Sequence, residues 1–537
     1  MELVKKNIHT ERIKAKALLQ IPLEEDINVS DSRPDVGKPV FTRGKIKVDE
    51  VKSGTNKVWV KGRLVYQILY LAEGKDSGLA GMEGELPFME EIYMDMVEST
   101  DRAICNTNLE DMRVNLINSR KLSIQAVISL MPRVEENTQE EVCVDLNGAE
   151  KEQAKGGKEL EYRKKPLDYL ETAVSKRDLF RIHEENKLPA GLPAVGTVIW
   201  RSTAIQHVNF KPLSGKIAVG GELSLFLIYK EDISGRTNWY ETTMPFSGNI
   251  ECQGCEEMMT ADIAYEVGHE EITVREDSDG EARMLGVELA LELEIKLLQK
   301  ESSHIVADVY GVSCEVAAIS SPKKFRQLQQ DAYLEEKLTG TVKPDGIDTK
   351  ILQICHSEAK PEIENCIFGD DEIEIRGSAE VQVLYLNNED GNNFAMAESR
   401  LPFTITRKLS GLQKDMEYNI ENCSLKPQLE QLHVVMKDGE RIEWQAVLTL
   451  HLMLYGEAQE EILTDLKITE LDSSKLEKLP GFAIYFVKEG DTLWQIGRKY
   501  YVSVDKIKEV NQLTSEDIAP GDKLLIVKSG EIYRTGL

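Results

Sequence analysis

Three stretches of the chain alternate apolar and polar residues with a period of two, and they do so in matching order. Val60–Leu71 runs VKGRLVYQILYL, Val219–Lys230 runs VGGELSLFLIYK and Ile375–Leu386 runs IRGSAEVQVLYL. Each holds a glycine eight residues before a tyrosine: Gly62/Tyr70, Gly221/Tyr229 and Gly377/Tyr385. A Pro-Phe pair follows each tyrosine (Pro87-Phe88, Pro245-Phe246, Pro402-Phe403), and then a further alternating block begins at Leu122, Leu285 and Ile442. Pro34, Pro193 and Pro344 precede the three glycines. In the third copy Ile373, Ile375, Ala379, Val381, Val383 and Tyr385 share one phase, and Glu374, Arg376, Ser378, Glu380 and Gln382 share the other. Strict alternation is the signature of antiparallel strands with one face packed and one face wet. Self-similarity at a fixed period marks a repeated structural unit.

The expected architecture is mainly β: three repeated antiparallel modules, each a sandwich or open barrel, followed by a small βααβ domain. The expected borders are 1–146 for the first module, 147–165 for a polar glycine-bearing linker, 166–318 for the second module and 319–460 for the third. An acidic connector spans 461–481 and the last domain 482–529. Pro166–Lys187 and Pro322–Lys337 look helical and charged, which makes them lead-in helices of the second and third modules. The glycines share the apolar phase with their tyrosines, which suggests a close backbone crossing at each. Each module reads as an independently folded spacer.

At the C-terminus the period changes. Ile484–Val487 and Leu524–Val527 are β-prone, whereas Leu493, Ile496 and Tyr500 recur at helical spacing behind Gly490-Asp491-Thr492, good cap chemistry. Val504, Ile507 and Val510 form a second helical stripe after Ser503, and Asn511 opens a polar loop that closes at Pro520-Gly521-Asp522. This stretch resembles the LysM family through Tyr485, Val487, Gly490-Asp491-Thr492-Leu493-Trp494, Ile496, Tyr500, Val504, Asp505, Ile507, Asn511, Leu513, Ile518, Pro520-Gly521, Leu524 and Ile526. Gly497 stands where the family usually has alanine, and Val527 where proline is common. The resemblance implies a carbohydrate-binding groove, for peptidoglycan or chitin, between the Gly490–Leu493 and Asn511–Pro520 loops. The residues it puts forward for a partner or glycan are Gly490, Asp491, Thr492, Leu493, Trp494, Asn511, Leu513 and Ile518. Trp494 lies one residue off the Leu493/Ile496/Tyr500 stripe, at the edge of the buried face, where it is either a contact or a packing residue.

Charge and composition narrow the partners. The chain has 537 residues, 65 basic and 93 acidic, for a net charge of −28. Such a balance argues against nucleic acid or an anionic membrane as the main partner. No apolar run approaches the ~18 residues of a membrane span. The opening MELVKKNIHTERIKAKALLQ lacks an apolar h-region, so no Sec-type export is expected. Eight cysteines spread thinly through such a chain read as reduced thiols.

Catalytic and metal motifs are incomplete. Cys252-Gln253-Gly254-Cys255 is a lone CxxC with no second ligand pair, so a turn is expected there and no metal or other cofactor. His183-Glu184 and His269-Glu270 begin like HExxH, but Lys187 and Thr273 stand where the second histidine belongs. Gly156-Gly157-Lys158 lacks the rest of a phosphate loop, and no GxSxG occurs. No catalytic residue is put forward, and the chain is expected not to be an enzyme.

The three modules resemble SPOCS domains, which occur in proteins of endospore-forming Firmicutes, and the layout of three modules and a LysM is similar to that of a clostridial coat protein family. That resemblance implies a spore-coat assembly scaffold in the mother-cell cytoplasm at the outer forespore surface. Its LysM end would bind a coat morphogenetic ATPase, with other coat proteins as further partners. The alternative it leaves open is a peptidoglycan binder of cortex or wall. Neither reading inserts the chain in a membrane.

Overall fold

The architecture was obtained as a computed structural model, which describes residues 2–74, 78–147, 160–344, 350–369, 371–388, 394–409, 412, 418, 422–437, 439–471 and 481–527. The first module holds β1 (Glu2–Lys16), β2 (Leu19–Asn28), β3 (Val36–Gly54), β4 (Lys57–Ala72), β5 (Leu79–Tyr93), β6 (Arg102–Asn118) and β7 (Lys121–Asn147). The second holds β8 (Leu160–Lys187), β9 (Val195–Leu213), β10 (Lys216–Glu231), β11 (Thr237–Glu251), β12 (Thr260–Glu276) and β13 (Ala282–Gly311). The third holds β14 (Cys314–Val342), β15 (Ile351–Phe368), β16 (Glu372–Asn387), β17 (Phe394–Lys408), β18 (Cys423–Lys437) and β19 (Arg441–Glu470).

Each module is two packed antiparallel sheets. One is a three-stranded meander with the repeat strand in its centre: β3-β4-β5, β9-β10-β11 and β15-β16-β17. The other is built on the module's last strand, which pairs with its first: β8 with β13, β14 with β19, and β1 and β2 in succession with β7. The repeat motif is a packing device. Gly62, Gly221 and Gly377 lie directly opposite Phe88, Phe246 and Phe403 in register. A Cβ on Gly377 would stand 2.2 Å from the Glu362 carbonyl oxygen and 2.7 Å from the Phe403 ring. Gly62 and Gly221 meet their phenylalanine rings at 2.6 and 2.7 Å in the same way. The tyrosine eight residues on reaches back to the upstream proline: Tyr70 Oη donates to the Pro34 carbonyl at 3.1 Å and Tyr229 Oη to that of Pro193 at 3.0 Å.

The two lead-in helices are strands. Pro166–Lys187 lies within the 28-residue β8, and Pro322–Lys337 within the 29-residue β14. Bulges at Ala173 and Gln329, each skipped in the register, break the period of two and give the apolar positions a spacing that imitates a helix. Cross-strand pairing then decides the conformation over local preference. The same strands move the expected borders. β14 begins at Cys314, before 319, and β19 runs to Glu470, ten residues into the expected connector. Residues 148–159 of the expected linker and 472–480 of the connector lie outside the described residues.

Nor do the modules behave as separate beads. Phe41, Leu69 and Leu79 of the first, Trp200, Phe226 and Ile228 of the second, and Cys355, Leu384 and Phe394 of the third form one buried cluster. Leu69, Ile228 and Leu384 each precede the repeat tyrosine, so successive residues of one strand enter the shared core and the module's own core. Below this junction the ribbons β1–β7, β8–β13 and β14–β19 wrap a common apolar axis. Ile8 and Val142, Leu167, Tyr169 and Ile305, and Phe325 and Ile462 supply it. At about 3.3 Å per residue, strands of this length make a stalk of roughly 90 Å together with the sheets they belong to.

A buried ionic hub ties the first two ribbons. Lys296 pairs with Glu11 at 2.9 Å and with Glu135 at 2.7 Å, while Arg133 bridges Glu135 at 2.9 Å and Glu294 at 3.1 Å. Burial pushes the Glu11 carboxyl up more than Lys296 recovers. At Glu135 burial acts in the same sense, but Lys296 and Arg133 outweigh it and hold the carboxyl below its ordinary range. Cys252 and Cys255 form the expected turn, with Cys255 N–H donating to the Cys252 carbonyl at 3.1 Å, and both are buried. Among the described residues no group of three or more His, Cys, Asp or Glu side chains could hold a metal ion, and no helix is long and apolar enough to cross a membrane.

The glycine–phenylalanine contact generates a stability test. Gly377→Ala must displace the Phe403 ring or the β15 backbone, a cost of about 1–3 kcal/mol for overpacking. A lowered urea midpoint is expected for Gly377→Ala and none for Gly191→Ala, where nothing lies within 4 Å of the added carbon.

Candidate functional site

The C-terminal domain sits at the tip of the stalk. Its elements are β20 (Phe482–Phe486), α1 (Leu493–Tyr500), α2 (Val504–Asn511) and β21 (Lys523–Val527), with β20 and β21 paired antiparallel. Thr492 caps α1 in a capping box. Its hydroxyl accepts from Gln495 N–H at 3.2 Å, and the Gln495 side chain accepts from Thr492 N–H at 3.2 Å. Ser503 caps α2 by accepting from Lys506 N–H. Val487, Leu493, Ile496, Val504, Ile507, Leu524 and Ile526 fill a small core, with Leu513 and Ile518 half-buried against it.

Just outside the two expected groove loops, the backbone ties the turn after β20 to the turn before β21. Val487 N–H donates to the Asp522 carbonyl at 3.0 Å, and Gly521 N–H donates back to Val487 at 2.8 Å. Within the loops themselves, most polar groups put forward from the sequence are already engaged. Asp491 accepts from Lys488 N–H and from Tyr485 Oη, both at 2.8 Å. Asn511 donates to the Ile507 and Leu525 carbonyls at 2.8 Å and accepts from Leu525 N–H at 2.7 Å, pinning α2 to β21. Leu493 is core. Gly490, at φ +84°, is the exposed tip of its turn with open space around it. Asp491, Thr492 and Asn511 therefore shape the loops.

Trp494 packs against the stalk. It is 9% exposed and meets the Tyr310 ring edge-on at 4.7 Å, while its indole N–H donates to Asp308 Oδ2 at 2.8 Å. Arg498 pairs with the same carboxylate at 3.2 Å, and the Arg163 guanidinium lies 5.3 Å from the indole centre. Tyr310 Oη donates to the Val502 carbonyl at 2.9 Å. Asp308 and Tyr310 belong to β13, where the bulge at Ala307 re-aims the strand. This joint explains the departure from the family at Gly497. A Cβ there would stand 2.6 Å from Tyr310 Oη and 2.7 Å from the Val502 carbonyl oxygen it bonds, so the usual alanine would collide with both sides of the joint. Gly497 was the sequence signal for Asp308 and Tyr310, which no local motif announces.

A second feature was also missed. Phe482, Ile484 and Phe486 are 73, 63 and 57% exposed, and Leu525, the register partner of Ile484, is 39% exposed. Both phases of β20 are apolar, and only one can face the core.

Two expectations follow. Asp308→Ala strands the Trp494 N–H, a loss of about 1–3 kcal/mol at the joint, to which the half-exposed Arg498 adds little. Hydrogen exchange in Leu493–Tyr500 should quicken in Asp308→Ala and in Gly497→Ala. Separately, its backbone hydrogen bond from Lys488 and then the Tyr485 hydroxyl hold the Asp491 carboxyl below its ordinary range. That stabilisation is complete above the ordinary aspartate range and is lost as pH falls through the depressed native value. Protection of the Lys488 amide should fall in that acid window and recover above it, and Asp491→Asn should abolish the dependence.

Comparison with known proteins places these units. The LysM domain family matches residues 485–527. The family described as SipL, SPOCS domain matches three times, at residues 35–117, 194–275 and 350–437. Each SPOCS match starts at or just before β3, β9 or β15 and ends with β6, β12 or β18, so the long ribbon strands lie outside the matches. The N-acetylmuramoyl-L-alanine amidase sle1 of Staphylococcus saprophyticus subsp. saprophyticus is 50% identical over 42 residues, which cover 8% of this chain and 13% of that protein. No solved structure matches. SPOCS and LysM are binding or scaffold domains rather than catalytic ones. The chain thus carries three SPOCS domains of the SipL kind and a C-terminal LysM domain, a content that supports a sporulation coat-associated protein with a domain of the peptidoglycan-binding kind.

Proposed function

We propose that the protein is a non-enzymatic scaffold of spore-coat assembly. It acts in the mother cell at the forespore surface, where its LysM domain binds a coat morphogenetic ATPase and the SPOCS body offers docking area to other coat proteins. The observation that carries this reading is the fusion of three SPOCS modules into one body with a LysM domain seated on its stalk. The state of the loop groove supports a protein partner over a sugar. Recognition of a glycan by side chains needs free donors and acceptors, and the Asn511 amide and the Oδ2 of Asp491 are engaged within the domain.

The second reading, a peptidoglycan binder of cortex or wall, draws on the 50% identity of 42 residues to a protein named as an N-acetylmuramoyl-L-alanine amidase. Gly490 and Thr492 in one loop, with the half-buried Leu513 and Ile518 in the other, are the positions it would use.

Full-length protein should be offered in parallel to the purified coat ATPase and to purified peptidoglycan. Saturable capture by the ATPase, with no sedimentation on peptidoglycan, is expected. Sedimentation on peptidoglycan without ATPase capture would reverse the assignment.

A further inference from the structure

The LysM domain has used one side to dock on its own stalk, and what it leaves free has a definite chemistry. Trp494, Gly497 and Arg498 on α1 are taken by Asp308 and Tyr310. The inner face of the hairpin is closed by Leu524 and Ile526 against the helices. The outer face carries Phe482, Ile484 and Phe486 on β20, opposite Val527, Leu525 and Lys523 on β21. Five of these six side chains are apolar, and among the described residues nothing covers Phe482, Ile484 and Phe486. Resting on the reading above that the LysM binds a protein, we propose that this outer sheet face is its docking surface, and that the partner brings an apolar patch edged by carboxylate.

The composition of the face selects that occupant. A sugar needs hydrogen-bonding groups, and the only one offered by a side chain here is the Lys523 ammonium, 5.6 Å from the centre of the Phe486 ring. No acidic side chain pairs with Lys523 among the described residues, so its charge is available to a carboxylate at the rim of a partner. A second copy of this chain fits less well. The exposed face amounts to on the order of 400 Å² for two large aromatic and two aliphatic side chains, against about 800 Å² per partner in a standard interface. Pairing two copies would also set Lys523 against its own kind between bodies that each carry −28. A clustered aromatic and aliphatic centre with a charged rim is the make-up of an interface hot spot. The joint at Asp308 adds a benefit: a domain fixed to the stalk presents the face in one orientation, so less freedom is lost on binding.

The test uses the full chain and the purified coat ATPase as probe. Ile484→Asp should weaken capture by roughly 30-fold or more, and Lys523→Glu should weaken it less and reduce its salt dependence. Thr514→Ala, at an exposed position of the Asn511–Pro520 loop, should leave capture unchanged. Ile484 is 63% exposed, so its substitution should spare the fold, and an unchanged exchange pattern in Leu493–Tyr500 checks that. If wild type captures the ATPase and Ile484→Asp captures it equally, the scaffold reading stands and the sheet face is not its seat. If wild type captures no ATPase, both fall. Self-association of wild type that is lost in Ile484→Asp would give the face to a second copy and overturn the proposal.

Discussion

Pairing of each module's first strand with its last is the interaction on which the molecule depends. It closes every module on itself and brings both ends of each to the same place, the far end of a long ribbon. Cys314 lies opposite Glu470 in register, so the chain leaves the third module beside the turn that joins β13 to β14. Tyr310 at the end of β13 and Val312 of that turn are what the LysM domain packs on. A short connection from Glu470 holds the domain at high local concentration next to its seat, and the Asp308 joint then needs little intrinsic affinity to stay formed. The position of the C-terminal domain thus follows from the topology of the modules.

Burial on both faces of the repeat strands is the second constraint. Tyr70, Tyr229 and Tyr385 are each within 1% of complete burial in their own module, and Leu69, Ile228 and Leu384 are similarly enclosed between modules. Consecutive residues are buried at Ile68–Tyr70, Leu225–Tyr229 and Val383–Tyr385, which carry no charge, while the other half of each strand keeps a wet side with Arg63, Glu222 or Glu380. The stalk is bound by apolar contacts along its axis and by the Lys296 hub at its neck. Removing one member of such a hub leaves a buried charge unpaired, the costly way to break it.

Much of this was legible in the sequence. The glycine–tyrosine spacing and the Pro-Phe pair exposed the repeat because each has a direct steric purpose: the ring lies on the glycine, and the tyrosine hydroxyl reaches the upstream carbonyl. The βααβ order and both helix caps followed from local chemistry at Thr492 and Ser503. What misled was nonlocal. Bulges at Ala173 and Gln329 turned two strands into apparent helices, and their true conformation is set by partners more than a hundred residues away. Alternation read as polar outside could not show that Leu69 and its counterparts face another module. Trp494 was identified as an edge residue, but an edge residue is covered or free according to what docks there, and Asp308 lies 186 residues upstream. The substitution at Gly497 was visible and its cause was not.

The central claim is that the LysM domain is a fixed head on a fused β body. Pulsed dipolar spectroscopy between spin labels at the exposed positions Lys61 and Asp517 measures it directly. A single narrow distance distribution in the full-length protein, broadened by Gly497→Ala, is the result the account predicts. A broad distribution in wild type, unchanged by that substitution, would contradict it.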